Sequence, residues 1–315
     1  MGPLYVADRR PHLVNLVILG TGALARLCYA RFYTDTPVMV GRYFGPFSVV
    51  DQGGETRIYH PHWISWQDEP PNQPEIVLVA VKWSAMASVR GWLQRWGGDA
   101  LVVSLLNGMG QESALIPPLD PNQLSIASTT DAVSRQDSPK SQLWQTTITH
   151  HGETYLAETG HRHETWLIAK AHSLNLLWQW EDPLSIERRR WFKLIANSVI
   201  NPLSALAART NGEILQMPLW RLASPLVQEA EMVARHAGIE ISHSLPAIEE
   251  LARNTQHNRS SMLQDVLVNI PTEVDAITGY IIAQAQQYGL AVPTHQAIYE
   301  LVSHLDRVND TPIQP

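Results

Sequence analysis

The chain has 315 residues, of which 44% are hydrophobic and 17% are charged, and its formal net charge is -7. This length suits two domains, and the composition is typical of a globular protein. Nucleic acids and anionic membranes bind clustered basic side chains. Because the one basic cluster of this negative chain is residues 188–190, we expect it to bind neither.

Cys28 is the only cysteine, so no disulfide can form within the chain, which fits a reducing compartment. The apolar runs are shorter than a membrane span, and residues 1–12 do not resemble a signal peptide. His150-His151 and His161-x-His163 lack the paired spacing of a metal site, so we expect no metal. These features predict a soluble, cytoplasmic protein.

The first predicted element is a strand that leads into a glycine-rich turn. Residues 13–19 are nearly all apolar, as expected for a parallel strand that is buried on both faces. They are followed by Gly20-Thr21-Gly22-Ala23-Leu24-Ala25, which is G-x-G-x-x-A, and then by a predicted helix over 24–32. In the dinucleotide-binding fingerprint, the small residues at these positions let the turn and the helix N-terminus approach a pyrophosphate. We therefore predict a Rossmann domain.

The second predicted strand, 38–41, ends beside Arg42, which lies about 20 residues after Gly20. An NAD-dependent enzyme usually has Asp or Glu near this position to bind the ribose 2′-hydroxyl. Asp35 precedes the strand and would lie at its other end. An arginine suits the 2′-phosphate, with which it forms charge-assisted hydrogen bonds. We therefore predict NADP(H) as the cofactor; the alternative is an Arg42 that points to solvent.

Polar residues follow the next predicted strands. Lys82 and Asn107-Gly-Met-Gly110 come directly after two of these strands, and Thr129 and Thr130 end the third. Since ligands bind beyond the carboxyl ends of parallel strands, these residues are candidates for ligand contact, although each alone is more typical of a turn. A threonine-rich alternation over 142–172 predicts added antiparallel strands. The three strands are 75–81, 100–106 and 125–130.

The second half of the chain has helical periodicity. After Pro183 we predict helices over 185–208, with an interruption or kink near Asn201-Pro202, and over 219–237, 245–254, 260–269, 271–288 and 294–307. Pro271 suits a first helical turn, which would place Glu273 in that turn, where capping is the alternative role. We therefore predict an α/β chain with an N-terminal Rossmann dinucleotide-binding domain, 1–182, and a C-terminal all-helical domain, 183–315.

The helix over 185–208 carries an unusual polar line. Lys193, Asn197 and Asn201 recur every four residues and therefore lie on one helix face, although the residues around them are mostly apolar. Burial of such groups without partners is costly, and a polar ligand would supply the partners. The alternative is a narrow solvated stripe.

The combination of these motifs resembles the ketopantoate reductase (2-dehydropantoate 2-reductase) family over roughly residues 13–307. The specific motifs are K-x3-N-x3-N-P-L from Lys193, N-R-S-S-M-L-Q-D from Asn258 and Thr272-Glu273, which follow the glycine turn, Lys82 and Asn107 in this order. The resemblance implies NADPH-dependent reduction of 2-dehydropantoate to pantoate, a step of pantothenate and coenzyme A biosynthesis. It also implies a substrate-binding helical domain and an active site between the two domains.

The resemblance further implies a role for each matching residue. Lys193 is the expected general acid, whose ammonium protonates the substrate oxygen as hydride reaches the keto carbon. The expected cofactor-binding residues are Gly20, Thr21, Gly22, Ala23, Leu24, Ala25, Arg42, Lys82, Asn107, Val133 and Glu273. The expected substrate-binding residues are Asn107, Lys193, Asn197, Asn201, Asn211, Asn258, Arg259, Ser260 and Ser261. The expected partner is a small 2-keto acid, with the chain either a monomer or a homodimer.

One departure from the family pattern bears on the substrate. Thr130 is followed by Asp131-Ala-Val133, where the family more often has small residues after a histidine, and a carboxylate near the nicotinamide edge is unexpected. Two alternatives therefore stand beside the main hypothesis. One is an NADPH-dependent reductase of another branched 2-keto acid, and the other is a non-catalytic NADPH-binding sensor.

Overall fold

The computed structural model describes residues 14–42, 44–136 and 143–310, without the side chains of 136 and 307–310. The chain divides into two compact units. The first unit is Met1–Leu106 with Glu112–Trp180, and the second is Asn107–Gln111 with Glu181–Pro315. Within the described residues, no helix has both the length and the apolar character needed to cross a membrane.

The first unit contains two β-sheets. Its strands are β1 Leu16–Leu19, β2 Val38–Val40, β3 Phe47–Val50, β4 Thr56–Tyr59, β5 His62–Ile64, β6 Ile76–Val79, β7 Leu101–Ser104, β8 Leu124–Thr129, β9 Ala132–Gln136, β10 Trp144–His150, β11 Glu153–Ala157 and β12 Leu177–Glu181. The larger sheet has the order β12-β11-β8-β7-β6-β1-β2-β5, and the smaller has the order β4-β3-β10-β9. From β5 to β8 the larger sheet is parallel.

The parallel strands confirm the predicted Rossmann-type sheet. All residues of β1, β6 and β7 are buried, which explains their continuous apolar sequence. The helices of this unit are α1 Ala23–Phe32, α2 Met86–Trp96, α3 Gln111–Leu115 and α4 Glu164–Ser173. The strand–turn–helix order at the glycine motif is therefore present, with β1 before the turn and α1 after it.

The region 142–172 is only partly antiparallel strand. β11 pairs antiparallel with β8 and β10 pairs antiparallel with β9, as predicted, but β10 belongs to the smaller sheet, where its other neighbour, β3, is parallel to it. The end of the region is α4, because Leu167 and Ala171, four residues apart, are both fully buried on one helix face. The prediction of strands up to residue 172 is thus wrong at its C-terminal end.

The second unit consists of helices. They are α5 Pro183–Ala207, α6 Ala223–His236, α7 Leu245–Asn254, α8 Ser261–Leu267, a π-helix Asp275–Gly279 that continues into α9 Tyr280–Gln287, and α10 Pro293–Asp310. α5 begins at the cap residue Asp182, whose carboxylate accepts hydrogen bonds from the backbone N–H groups of Leu184 and Ser185. Fourteen of the 25 residues of α5 are buried. These helices confirm the predicted helical second half.

Two predictions for this unit are wrong. At Asn201-Pro202, where we predict an interruption or a kink, the interruption is wrong, because α5 continues through Pro202 as one helix with buried neighbours on both sides. No helix begins at Pro271. Asp306 accepts hydrogen bonds from the Thr272 hydroxyl, at 2.8 Å, and from its backbone N–H, so this segment is held outside the helix and Glu273 precedes the π-helix.

Candidate functional site

The glycine turn after β1 has no room for side chains at its first position. Gly20 has a φ of +132°, and a Cβ atom there would lie 2.3 Å from the carbonyl oxygen of Ala80. The Gly20 N–H donates to the Val40 carbonyl at 2.9 Å, which ties the turn to β2. At Gly22 a Cβ atom would meet nothing within 4 Å. The backbone at Gly22 is therefore open to the close approach of a ligand.

The start of α1 is arranged to bind an anion. Gly22 is the cap residue and, having no side chain, forms no side-chain cap to the first N–H groups of this helix. The buried Arg26 donates from Nε to the Thr21 carbonyl at 3.0 Å, and its guanidinium lies 4.7 Å from the centre of the Trp144 ring. Arg26 thus holds the turn in place. Sequence reasoning missed it, because nothing in the motif distinguishes a buried arginine from an exposed one.

Arg42 lies at the carboxyl end of β2 and is exposed. Its neighbour Gly41 makes room for the glycine turn, since a Cβ atom there would lie 2.3 Å from Cγ2 of Thr21. Asp35, the nearest carboxylate before β2, forms an ion pair with Lys170 of α4 at 2.8 Å. Asp35 is therefore engaged in a structural contact, while Arg42 lies at the end of the strand where a ribose phosphate is expected.

The two polar residues after β6 and β7 lie in different units. Lys82 follows β6 and is partly buried, whereas Asn107 begins the short segment Asn107–Gln111 of the second unit. Gly108 has a φ of +82°, and a Cβ atom there would lie 2.6 Å from the Ala276 carbonyl oxygen. This segment therefore packs directly on the π-helix, and glycine is needed for that approach.

The hydroxyl groups at the end of β8 serve the fold. Thr129 Oγ1 accepts from the Thr154 hydroxyl at 2.9 Å, and Thr130 Oγ1 accepts from the Glu153 N–H at 2.9 Å. Both contacts join β8 to β11, so these threonines act within the sheet. Val133 lies in β9 opposite Ile148 of β10 and packs on the core of the first unit.

Asp131, which departs from the family pattern, is a buried structural carboxylate. Its side chain is 2% exposed and forms a bidentate ion pair with Arg31 of α1, one bond being 2.7 Å. It also accepts from the Gly152 N–H at 2.8 Å. These bonds occupy both carboxylate oxygens, so Asp131 links α1 to the loop before β11. The unexpected charge therefore has its partner within the fold.

The polar line on α5 is present in the second unit. Lys193 and Asn197 are partly buried, and Asn201 is 5% exposed. The apolar residues between them, such as Leu194 and Ile195, belong to the core of this unit. The line is thus more buried at its Asn201 end than at Lys193 and Asn197, and its residues stay candidates for contact with a polar ligand.

Asn211 braces the loop that contains Asn258. Its N–H donates to the Asn258 carbonyl and its Nδ2 donates to Thr255 Oγ1, both at 3.0 Å. Thr255 in turn donates to the Leu251 carbonyl at 2.7 Å. The Oδ1 atom of Asn211 is buried and has no hydrogen-bond partner among the described residues. This oxygen can therefore accept a hydrogen bond from a ligand.

The serine pair at the start of α8 divides between a buried and an exposed position. Ser260 is buried, caps α8 by accepting from the Leu263 N–H at 3.1 Å, and lies 2.5 Å from the hydroxyl of Ser204 on α5. Its hydroxyl thus joins α8 to α5. Ser261 and Arg259 are exposed, and Glu273 is buried just before the π-helix.

The structure gathers the predicted residues into two groups, one in each unit. The glycine turn, Arg42, Lys82 and Val133 lie in the first unit. The second unit contains Asn107, Lys193, Asn197, Asn201, Asn211, Asn258, Arg259, Ser260, Ser261 and Glu273. Among the described residues, no group of three or more His, Cys, Asp or Glu side chains could hold a metal ion. The first group is suited to a dinucleotide and the second to a small polar acid.

Comparison with known proteins gives matches over most of the chain. Residues 16–160 match the family described as ketopantoate reductase PanE/ApbA, and residues 185–306 match the family described as ketopantoate reductase PanE/ApbA C terminal. The chain is 28% identical over 305 residues to 2-dehydropantoate 2-reductase of Yersinia pestis, which covers 92% of this chain and 94% of that relative.

Solved structures share the fold. D-mandelate dehydrogenase, in a ternary complex with NADH and anilino(oxo)acetate, matches with a TM-score of 0.83 and 19% identity over 95% of this chain and 100% of the other. A dimeric ketopantoate reductase from Staphylococcus aureus matches with a TM-score of 0.79 and 18% identity over 94% of this chain and 100% of the other. These likenesses concern the fold alone.

If Asp131 is structural, Asp131→Asn lowers the free energy of unfolding by about 3 kcal/mol, because it leaves the nearly buried Arg31 without its counter-charge. Chemical denaturation followed by circular dichroism measures this loss. The matched control is Asp99→Asn, which breaks an exposed pair with Arg162 and should cost less than about 1 kcal/mol. Unchanged stability together with weaker NADPH binding in Asp131→Asn would instead assign this carboxylate to the cofactor.

Proposed function

Because the chain belongs to the ketopantoate reductase family, we propose that it reduces 2-dehydropantoate to pantoate with NADPH, a step of pantothenate and coenzyme A biosynthesis. The observation that carries this proposal is the polar line on α5, in which a partly buried lysine is followed by two amides on one helix face. The parallel sheet and the open glycine turn supply the matching dinucleotide site. A cytoplasmic location for this activity stays a prediction of the composition.

The first unit fits a nicotinamide dinucleotide. The open backbone at Gly22 and the uncapped N–H groups of α1 would hold the pyrophosphate. We propose NADPH as the form that is used, since the exposed guanidinium of Arg42 follows β2 and would pair with the 2′-phosphate. Asp35 precedes β2 and is paired with Lys170, so it does not lie at the end of the strand where a carboxylate would bind a 2′-hydroxyl.

The second unit supplies the groups that the reduction requires. When bound, the reduced nicotinamide supplies the hydride for the keto carbon. The ammonium of Lys193 donates its proton to the keto oxygen, on which negative charge develops, and the lysine then regains a proton from water. The amides of Asn197 and Asn201 would bind the carboxylate and hydroxyl groups of the acid, and Oδ1 of Asn211 would accept a hydrogen bond from one of its hydroxyl groups.

The reaction is tested by the oxidation of NADPH, followed at 340 nm, with 2-dehydropantoate and with a panel of other branched 2-keto acids. We expect 2-dehydropantoate to give the highest kcat/KM. In Lys193→Ala we expect kcat to fall by about 100-fold to 10,000-fold, which is the range that a general acid contributes. Lys170→Ala, which removes a lysine that is paired with Asp35, is the control and should retain wild-type turnover.

Three results would contradict this proposal in different ways. A higher kcat/KM with another branched 2-keto acid would identify that acid as the substrate and leave the reductase chemistry unchanged. NADPH binding without oxidation by any keto acid would make the chain a sensor. A Lys193→Ala variant with wild-type kcat would show that Lys193 is not the proton donor.

The choice of NADPH over NADH is tested at Arg42. Arg42→Ala should raise the KM for NADPH about tenfold, the effect of losing one charge-assisted hydrogen bond, and leave kcat nearly unchanged. The KM for NADH should not rise, since NADH has no 2′-phosphate. The exposed Arg57 of β4, which pairs with Glu55, provides the control Arg57→Ala, for which no change is expected. Equal effects of Arg42→Ala on both cofactors would show that Arg42 does not bind the 2′-phosphate.

A further inference from the structure

Three polar side chains from three helices form a network that reaches α5 at Ser198, and we call it the Ser198–His295–Glu229 network. His295, in the first turn of α10, is fully buried, and its Nδ1 atom lies 2.8 Å from the carboxylate of Glu229 on α6. Its Nε2 atom lies 3.4 Å from the hydroxyl of Ser198 on α5. Three helices are therefore joined through one imidazole ring. None of these residues belongs to the motifs that predict the site.

The Glu229 end of this network is held in place by hydrogen bonds. One carboxylate oxygen of Glu229 accepts from the N–H of Thr294 at 2.8 Å, and the other accepts from the N–H of His295 at 2.9 Å and faces its Nδ1. Partial burial raises the pKa of Glu229, but the hydrogen bonds from His295 and Thr294 outweigh it and hold this pKa at about 2. Glu229 is thus an anion that caps α10, and Nδ1 of His295 must carry the proton between them.

The Ser198 end of the network lies where α5 lacks one backbone hydrogen bond. Pro202 has no N–H, so the helical hydrogen bond to the carbonyl of Ser198, four residues earlier, is missing. This gap lies between Lys193 and Asn201. The hydroxyl of Ser198 lies 2.9 Å from the Ile195 carbonyl and 3.4 Å from Nε2 of His295, which is the ring nitrogen without a proton. Its single proton is shared between these two acceptors, and this contact connects the gap to α10.

The sequence of groups Ser198–His295–Glu229 has the chemical order of a nucleophilic triad. Ser198 and His295 are both fully buried in the core of the helical unit, where no substrate can reach the hydroxyl. A nucleophile also needs a close hydrogen bond to its base, and the distance here is 3.4 Å. The Ser198–His295–Glu229 network therefore supports α5 and does not form a hydrolytic site.

We propose that His295 is a positioning residue, which acts through Ser198 to hold the proline-weakened middle of α5 and thereby sets the direction of Lys193 and Asn197. The mechanical part of this inference depends only on the helical unit. Its effect on turnover rests on the proposed function, in which Lys193 donates the proton.

Two small substitutions test the proposal. Ser198→Ala removes the hydroxyl, and His295→Asn keeps a donor that can reach Glu229 but has no atom at the place of Nε2. Each should lower kcat about fivefold while the KM for NADPH stays within about twofold. Because both substitutions break the same contact, the kcat of the double variant should be no lower than that of the less active single variant. His236→Asn is the control, since this exposed histidine bonds to the Met232 carbonyl of its own helix and lies beside the Tyr288 ring, and it should change neither parameter.

Amide hydrogen exchange gives a readout that does not depend on the reaction. In both variants the amides of residues 193–201 should exchange about fivefold faster, and those of α7 should not change. If the wild-type protein does not reduce 2-dehydropantoate, the proposed function fails, while faster exchange at 193–201 still supports the positioning role. Unchanged exchange there, or additive losses of kcat in the double variant, would overturn the inference.

Discussion

The burial of polar groups along α5 is the constraint on which the second unit depends. A helix with fourteen of its 25 residues buried leaves little surface for water, yet it carries Lys193, Asn197 and the nearly buried Asn201. Such polar groups are stable in a buried position only when the residues around them are held in fixed positions. The neighbouring contacts do this: Asp182 caps the start of α5, and Ser204 joins it to the capping serine of α8. Packing and the proposed function therefore use the same helix.

A second constraint, close backbone approach, shapes the remaining candidate residues. At Gly20, Gly41 and Gly108 a Cβ atom would lie between 2.3 and 2.6 Å from another atom of the same unit. Each glycine therefore allows a contact that any side chain would block. Gly22 differs, because the space beside it is open, and that is what the binding of a pyrophosphate requires. The two glycines of the motif therefore differ: Gly20 allows close packing, and Gly22 leaves open space beside the backbone.

Motif and periodicity were sufficient to predict the parallel strands, the long helices and the polar line on α5, because each is a local pattern with a direct structural meaning. They could not predict contacts between distant segments. The ion pair of Asp131 with Arg31 joins residues 100 apart in sequence, and its absence from any motif made the carboxylate look like a departure at the cofactor site. Glu273 is similar, because Asp306, far along the chain, keeps the Pro271 segment out of the helix.

The central claim is that Lys193 of α5 gives a proton to the oxygen of a small 2-keto acid. A crystal structure of the protein with NADP+ and pantoate tests it most directly, because pantoate keeps the oxygen that receives the proton. We expect the C2 hydroxyl of pantoate within about 3.2 Å of Lys193 Nζ, the reach that proton transfer requires. Pantoate bound away from α5, with another acid at its hydroxyl, would contradict it.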